Sequence, residues 1–149
     1  MTEPTAVVRA YWELMQARDW TGLRQVLAPD VVVEWAAGDE QFVGPDAVVG
    51  VNQEYPEGWS VHVRGIVADG DTVASDVEVP MEGVGVFRVA AFARVRAGLL
   101  VSSVEYWIGV GTEQPPDWRA RFSRPDGAPA RGLTDARPQD PWPAPRRPR

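Results

Sequence analysis

The chain has 149 residues, 44% of them hydrophobic, and a formal net charge of −6. This length and composition fit one soluble domain with a sizeable core, which we expect in the cytoplasm. No run approaches the roughly 18 apolar residues of a membrane span. The absence of cysteine excludes disulfides and thiolate metal sites, and His62 is the only histidine, so we expect neither a metal nor a cofactor.

Charge and proline content divide the chain in two. Residues 1–122 carry 18 acidic residues against 9 arginines, so this part is expected to repel nucleic acid. Residues 123–149 contain seven prolines and almost no apolar periodicity. Such a segment buries too little surface to offset its ordering entropy. We therefore predict one domain over 1–122 and a disordered Pro/Arg-rich tail over 123–149.

Helix signals dominate the first third of the chain. Pro4 suits a helix start, and apolar residues then recur at helical spacing as far as "ARDW", which predicts a first amphipathic helix. A second short helix is predicted over about 20–27, before Pro29. "VVVEWAA" is typical of a strand, and "GPD" begins a third helical segment over roughly 45–54.

Strand signals fill the rest of residues 1–122. Strands are predicted over about 59–68, 72–79, 85–97 and 99–108, with "DGDT" and "RAG" as tight turns between neighbours. Helices followed by a long antiparallel meander predict an α+β fold, in which helices cover one face of a single curved antiparallel sheet.

Four stretches carry a resemblance to a known family: "AVVRAYWELMQARDWTGLRQVLAPDVVVEW", "GPDAV", "ADGDTV" and "RAGLLVSSVEYW". Over about residues 5–122 the chain resembles the nuclear transport factor 2-like superfamily and, within it, the SnoaL-like group. The resemblance implies N-terminal helices that close a cone-shaped pocket on the sheet. It leaves the activity open, since the superfamily includes isomerases, polyketide cyclases, epoxide hydrolases, dehydratases and binding modules.

Residue-by-residue comparison with two enzyme types of this superfamily indicates which of their catalytic mechanisms the residues of this chain permit. Against the ketosteroid isomerases, Tyr11 matches the phenol of the oxyanion hole, but Trp35 falls on the general base and Ala91 on the protonated acid. The resemblance therefore argues against that isomerase mechanism.

Against the limonene-type epoxide hydrolases, Glu78 and Glu105 fall on the two carboxylates, while Asp76 replaces the bridging arginine. The water-holding tyrosine and asparagine fall on Val33 and Trp35. The same hydrolysis is disfavoured, whereas general acid–base chemistry on another small molecule is not.

The orientation of these acids is open for Asp76 and Glu78 and clearer for Glu105. Strand alternation sends Asp76 and Glu78 to solvent, and the resemblance sends them to the pocket. Glu105 shares a face with Trp107, and we expect it to point inward. There it would stay protonated, helped by repulsion from the other two acids, or accept hydrogen bonds from groups such as Tyr11 or Asn52.

The expected pocket suits a small, largely apolar ligand. Its predicted lining consists of four aromatic residues and two polar residues near the mouth: Trp35, Trp59, Phe87, Trp107, Asn52 and Tyr55. Three other polar residues, Asp39, Glu40 and His62, are interpreted as surface residues. Trp118, in the segment after the last predicted strand, is expected to cover the sheet end or the pocket.

Two functional hypotheses follow. One is a cofactor-independent cyclase, isomerase, dehydratase or hydrolase that uses Glu105 with Glu78 or Asp76, assisted by Tyr11. The other is a non-catalytic small-molecule-binding or dimerisation module. In both, apolar residues on the two faces of the strands over 85–97 and 99–108 predict a homodimer packed through the outer face of the sheet.

Overall fold

The computed structural model describes residues 2–123, so the predicted tail lies outside the described residues, apart from its first residue. Three α-helices are present: α1 (Pro4–Ala17), α2 (Trp20–Gln25) and α3 (Pro45–Glu54). Proline occupies the first turn of α1 and α3, where its missing N–H costs no hydrogen bond. None of these helices is long and apolar enough to cross a membrane.

Local signals explain where the helices begin and end. α1 stops at Arg18, which adopts the left-handed conformation (φ 58°) and donates its N–H to the carbonyls of Leu14 and Met15. The Asp19 carboxylate then accepts from the Gly22 N–H over 2.8 Å and caps α2. α3 ends before Pro56, because the residue that precedes a proline is pushed towards extended backbone.

Six strands form one curved sheet: β1 (Leu27–Trp35), β2 (Glu40–Val43), β3 (His62–Asp69), β4 (Thr72–Met81), β5 (Gly85–Arg96) and β6 (Leu99–Gly109). Their order is β2-β1-β6-β5-β4-β3. The pairs β3–β4, β4–β5 and β5–β6 form the predicted antiparallel meander, and β1 adds to β6 in parallel. The predicted α+β class with a curved sheet is confirmed.

Turn geometry sets the register at the start of the β5–β6 hairpin. Arg96 pairs with Leu99, and the two residues between them, Ala97 and Gly98, both have positive φ (51° and 75°). This is the conformation that two-residue hairpins prefer, because its twist matches that of the strands. The register shifts between Arg94 and Val95, and beyond that point alternate residues of β5 and β6 lie on opposite faces of the sheet.

The core lies between the helices and the inner face of the sheet. From α1 it takes Val7, Val8, Tyr11, Trp12 and Met15, a set with helical periodicity. From the strands it takes alternate residues of β4, β5 and β6. Among residues 2–123, no other residue covers Phe92, Tyr106 and Ile108 on the outer face of the sheet, and all three are exposed.

The prediction from sequence did not include β2, and it placed the segment after β6 incorrectly. β2 is a four-residue strand at the sheet edge, too short for a clear alternating pattern. The short 3₁₀ helix Asp117–Phe122 was expected to cover the sheet end or the pocket through Trp118. The side chain of Trp118 is instead 64% exposed, so this expectation was wrong.

Candidate functional site

One carboxylate, that of Glu105 on β6, lies fully inside the domain with 1% of its surface exposed. It accepts three hydrogen bonds from side chains. The Tyr11 hydroxyl donates to Oε2 over 2.9 Å, and the indole N–H groups of Trp35 and Trp107 both donate to Oε1 over 3.1 Å. Glu105 therefore points inward, the orientation predicted from its position beside Trp107.

Strand register and helix packing bring these donors together. Trp35 pairs with Glu105 across the parallel β1–β6 ladder, so both side chains leave the sheet on the same face. Trp107 lies two residues further along β6 and points to that face as well. Tyr11 reaches the carboxylate from the buried stripe of α1. Asn52, the other donor considered from the sequence, instead donates to the carbonyl of Val48 in its own helix.

Burial controls the protonation of this cluster. Removal from water raises the pKa of Glu105 from its ordinary 4.5 to about 7, even though the three hydrogen bonds favour the charged form. Burial and the adjacent Glu105 raise the pKa of Tyr11 well above 10, so the phenol stays protonated. Near neutral pH, Glu105 can therefore either hold or release a proton, while Tyr11 acts as a hydrogen-bond donor.

A cavity of about 200 Å³ lies next to this carboxylate. Its lining is predominantly apolar: Trp12, Met15, Trp35, Ala37, Gly38, Glu40, Asn52, Tyr55, Trp59, Val61, Val79, Met81, Phe87 and Trp107. Trp35 and Trp107 belong both to this lining and to the hydrogen-bond cluster. Glu105 itself is not among the lining residues, and its contact with the cavity wall is through the hydrogen bonds from these two indoles.

Another part of the cavity wall is also held by an indole hydrogen bond. Trp12 is 1% exposed and donates its N–H to the Ser75 hydroxyl over 3.0 Å. Three of the four cavity tryptophans thus direct their only donor towards the protein. The space that remains is bounded mainly by aromatic rings and aliphatic side chains, which suits an apolar ligand.

All six residues predicted to bind a ligand line the cavity: Trp35, Trp59, Phe87, Trp107, Asn52 and Tyr55. Neighbouring rings touch at inclined angles. Trp35 and Trp107 lie 6.2 Å apart with their planes at 59°, and Phe87 lies 6.4 Å from Trp107 at 63°. Such tilted contacts hold the ring positions while leaving a concave surface.

Asp76 and Glu78 do not join Glu105. Strand alternation directs Ser75, Val77 and Val79 inward, and it turns both acids to the outer face of the sheet. There Asp76 lies 3.6 Å from Arg88, and Glu78 lies 3.9 Å from Arg64. The expected pairing of Glu105 with these acids in one pocket is corrected, and desolvation, rather than their repulsion, raises the pKa of Glu105.

Glu40 is exposed, as interpreted from the sequence, but it also lines the cavity, which the sequence analysis did not predict. It pairs with Trp35 in the β1–β2 ladder and lies at the cavity rim. The signal that could have found it is the alternation in "EQFV", where Glu40 and Phe42 share a face. His62 is half-buried on the outer side of β3, and burial lowers its pKa.

Within residues 2–123, no three side chains of the metal-binding types come together. The described part of the chain thus offers no cluster for a metal ion. The chemistry available at the cavity is that of one buried carboxyl group, the phenol that contacts it, and an aromatic wall.

Comparison with known proteins agrees with this architecture. The sequence profile of the SnoaL-like domain matches residues 8–103. The chain belongs to the SnoaL-like domain family. No curated protein gives a significant match to this SnoaL-like chain.

Solved structures similar to this SnoaL-like domain carry several enzyme names. A candidate ketosteroid isomerase from Kribbella flavida DSM 17836 is 28% identical with a TM-score of 0.75, over 85% of this chain and 90% of that protein. An LEH-like epoxide hydrolase from M. tuberculosis is 20% identical with a TM-score of 0.62, over 70% and 82%. IdmH, a candidate polyketide cyclase from Streptomyces antibioticus, is 19% identical with a TM-score of 0.65, over 71% and 92%.

Proposed function

We propose that this SnoaL-like domain binds a small, largely apolar molecule in the aromatic cavity. The observation that carries the proposal is the lining itself, in which four tryptophans, a phenylalanine and a tyrosine surround about 200 Å³ of space. Concave, mainly apolar cavities with a few polar groups at fixed positions are typical of small-molecule sites. Asn52, Tyr55 and Glu40 supply those polar groups.

Binding of a neutral aromatic probe tests this proposal. We expect N-phenyl-1-naphthylamine to gain fluorescence in the presence of the domain, with saturation at one probe per chain. Val79→Phe should abolish that binding, because Val79 is 1% exposed and lines the cavity, so the added ring fills the space. The matched control is Val67→Phe on the outer face, where Val67 is exposed and binding should be unchanged.

Two results would contradict the binding proposal. One is the absence of saturable binding to the wild-type chain. The other is equal binding by Val79→Phe and Val67→Phe, because the probe would then lie elsewhere. Circular dichroism of both variants shows whether the added ring has been accommodated without unfolding.

A second candidate function is general acid–base catalysis by Glu105. The observation that favours it is a buried carboxyl group whose pKa is about 7, next to an apolar cavity. Transfer of a proton to or from a bound molecule requires the indole of Trp35 or Trp107 to turn aside, since both line the cavity and donate to the carboxylate, which does not line it. Tyr11 would then remain as the donor that holds the carboxylate in place.

The base-catalysed opening of 5-nitrobenzisoxazole probes this candidate. A base removes the ring C–H proton, the N–O bond breaks, and a nitrile and a phenolate form, so the reaction needs only a general base in an apolar cavity. For the wild type, we expect the rate of ring opening to rise with pH through about 7. In Glu105→Gln, the rate should equal that measured in buffer without protein. A rate that Glu105→Gln retains would eliminate Glu105 as the base and leave the binding function in place.

We also propose that a second copy of the chain covers the outer face of the sheet. Phe92 and Tyr106 pack edge-to-face on that surface, with ring centroids 6.1 Å apart, and Ile108 is 62% exposed beside them. Contiguous exposed apolar residues on a sheet face are a feature of protein interfaces.

A further inference from the structure

The wall of the aromatic cavity presents the faces of aromatic rings and an acidic side chain, with no basic side chain among the described lining residues. None of the described residues that line it is an arginine or a histidine, and its charged member is Glu40 at the rim. The carboxylate of Glu105 lies directly behind Trp35 and Trp107. An anionic ligand would meet Glu40 and, above its pKa, the ionised Glu105, with no arginine or histidine in the lining, so the lining disfavours acids and phosphates.

The orientation of the indoles strengthens this preference. Trp12, Trp35 and Trp107 donate their N–H groups to Ser75 and Glu105, so these donors are not available to a ligand. A donor bound to a carboxylate is polarised by it, and electron density moves towards the ring. Ring faces carry the negative part of the aromatic quadrupole, which attracts cations.

A cation already lies on one indole of this domain. The guanidinium of Arg18 lies 3.4 Å from the ring centroid of Trp59, outside the cavity, and its N–H groups bond Glu57 and the Trp59 carbonyl. Trp59 is therefore occupied on that side. The rings nearest the buried carboxylate, Trp35 and Trp107, are the better position for a positive group on a ligand.

We infer that the ligand of this cavity is a lipophilic cation, which carries an amine or quaternary ammonium group on an apolar body. This inference rests on the proposed binding function. The positive group lies against Trp35 and Trp107, between the carboxylates of Glu40 and Glu105. The apolar body contacts the remaining lining, including Val79, Met81 and Phe87.

Two probes of the same shape test the inference. Phenyltrimethylammonium and tert-butylbenzene differ in the replacement of N⁺ by carbon, so their affinities compare charge at constant size. At pH 8, tryptophan fluorescence titration should show the cation binding about three- to thirtyfold more tightly, the range that cation–π attraction supports. Equal or tighter binding of tert-butylbenzene would overturn the inference and leave the binding function standing. Binding of neither probe would overturn both.

Charge removal at the rim provides the second arm. Glu40→Gln keeps the side-chain size and should weaken phenyltrimethylammonium binding by about two- to fivefold, since one exposed carboxylate contributes modestly. Its effect on tert-butylbenzene should be negligible. The matched control is Glu34→Gln, because Glu34 lies on β1 but does not line the cavity. If both variants lose the same affinity for phenyltrimethylammonium, the loss reflects the net charge of the protein. That result would count against a cation site beside Glu40.

Discussion

The hydroxyl of Tyr11 donates a 2.9 Å hydrogen bond to the carboxylate of Glu105, although 94 residues separate the two in the chain. This bond joins the first helix to the last strand across the core. It also sets the position of the carboxylate that two cavity indoles contact from the other side. Helix packing, the buried charge and the shape of the cavity wall are therefore parts of one arrangement.

Tyr11→Phe should lower the free energy of unfolding by about 1–2 kcal/mol at pH 8, because the charged carboxylate loses one of its three donors. At pH 5 the loss should be smaller, since the protonated acid gains less from a donor. Urea unfolding at the two pH values measures both. The control is Tyr55→Phe, since the Tyr55 side chain is 39% exposed and lies outside the proposed dimer surface, and a change within about 0.5 kcal/mol is expected. Equal losses in the two variants would contradict a buried role for the Tyr11 hydroxyl.

Glu105→Gln should remove a pH dependence of stability. The pKa of Glu105 is about 7 in the folded state against an ordinary 4.5, so between these values the folded protein binds more protons than the unfolded chain. The wild type therefore loses roughly 3 kcal/mol as the pH rises through this window, and the loss is complete above it. Urea unfolding from pH 4.5 to 8 measures this difference. Over that range, the free energy of unfolding of Glu105→Gln should fall by that amount less than the free energy of unfolding of the wild type. Parallel curves for the two proteins would contradict the raised pKa.

Much of the fold follows from local sequence signals, because caps, turns and strand alternation are short-range. The helix over 45–54 and the hairpin at Ala97 and Gly98 lie where proline and glycine place them. The inward direction of Glu105 follows from its alternation with Tyr106. The parallel pairing of β1 with β6 was not predicted, because its partners lie 70 residues apart.

The site itself was only partly predictable, for the same reason. Aromatic residues indicated the lining, but the bonds from Trp35 and Trp107 to one oxygen of Glu105 depend on side-chain directions that only the packed sheet defines. For Asp76 and Glu78, simple alternation gave the observed outer face, and family resemblance favoured the pocket. The local pattern was the better guide here.

Neutralising the outer acids should leave ligand binding intact. In Asp76→Asn and Glu78→Gln, the affinity for N-phenyl-1-naphthylamine should equal that of the wild type, because both side chains point away from the cavity. Each should change stability by no more than about 1 kcal/mol, through loss of the contact with Arg88 or Arg64. A large loss of probe affinity in either variant would mean that these acids reach the cavity after all.

Charge on the outer face should prevent the proposed dimer. Sedimentation equilibrium of the wild type at tens of micromolar should give twice the 16.4 kDa chain mass. Phe92→Glu should give the monomer mass, since a second copy would bury the new charge against an apolar surface. Val84→Glu, at an exposed residue of the turn between β4 and β5, is the control and should remain dimeric. A monomeric wild type would rule out the dimer.

The most direct test of the account is the titration of the Glu105 carboxyl group itself. In protein labelled with ¹³C at the glutamate carboxyl carbon, the resonance of Glu105 is identified by its absence in Glu105→Gln, and its chemical shift is followed from pH 3 to 9. A midpoint near 7 is predicted, because burial opposes ionisation more strongly than the three donors favour it. A midpoint at or below the ordinary 4.5 would contradict the account, since the carboxylate would then be solvated or stably charged.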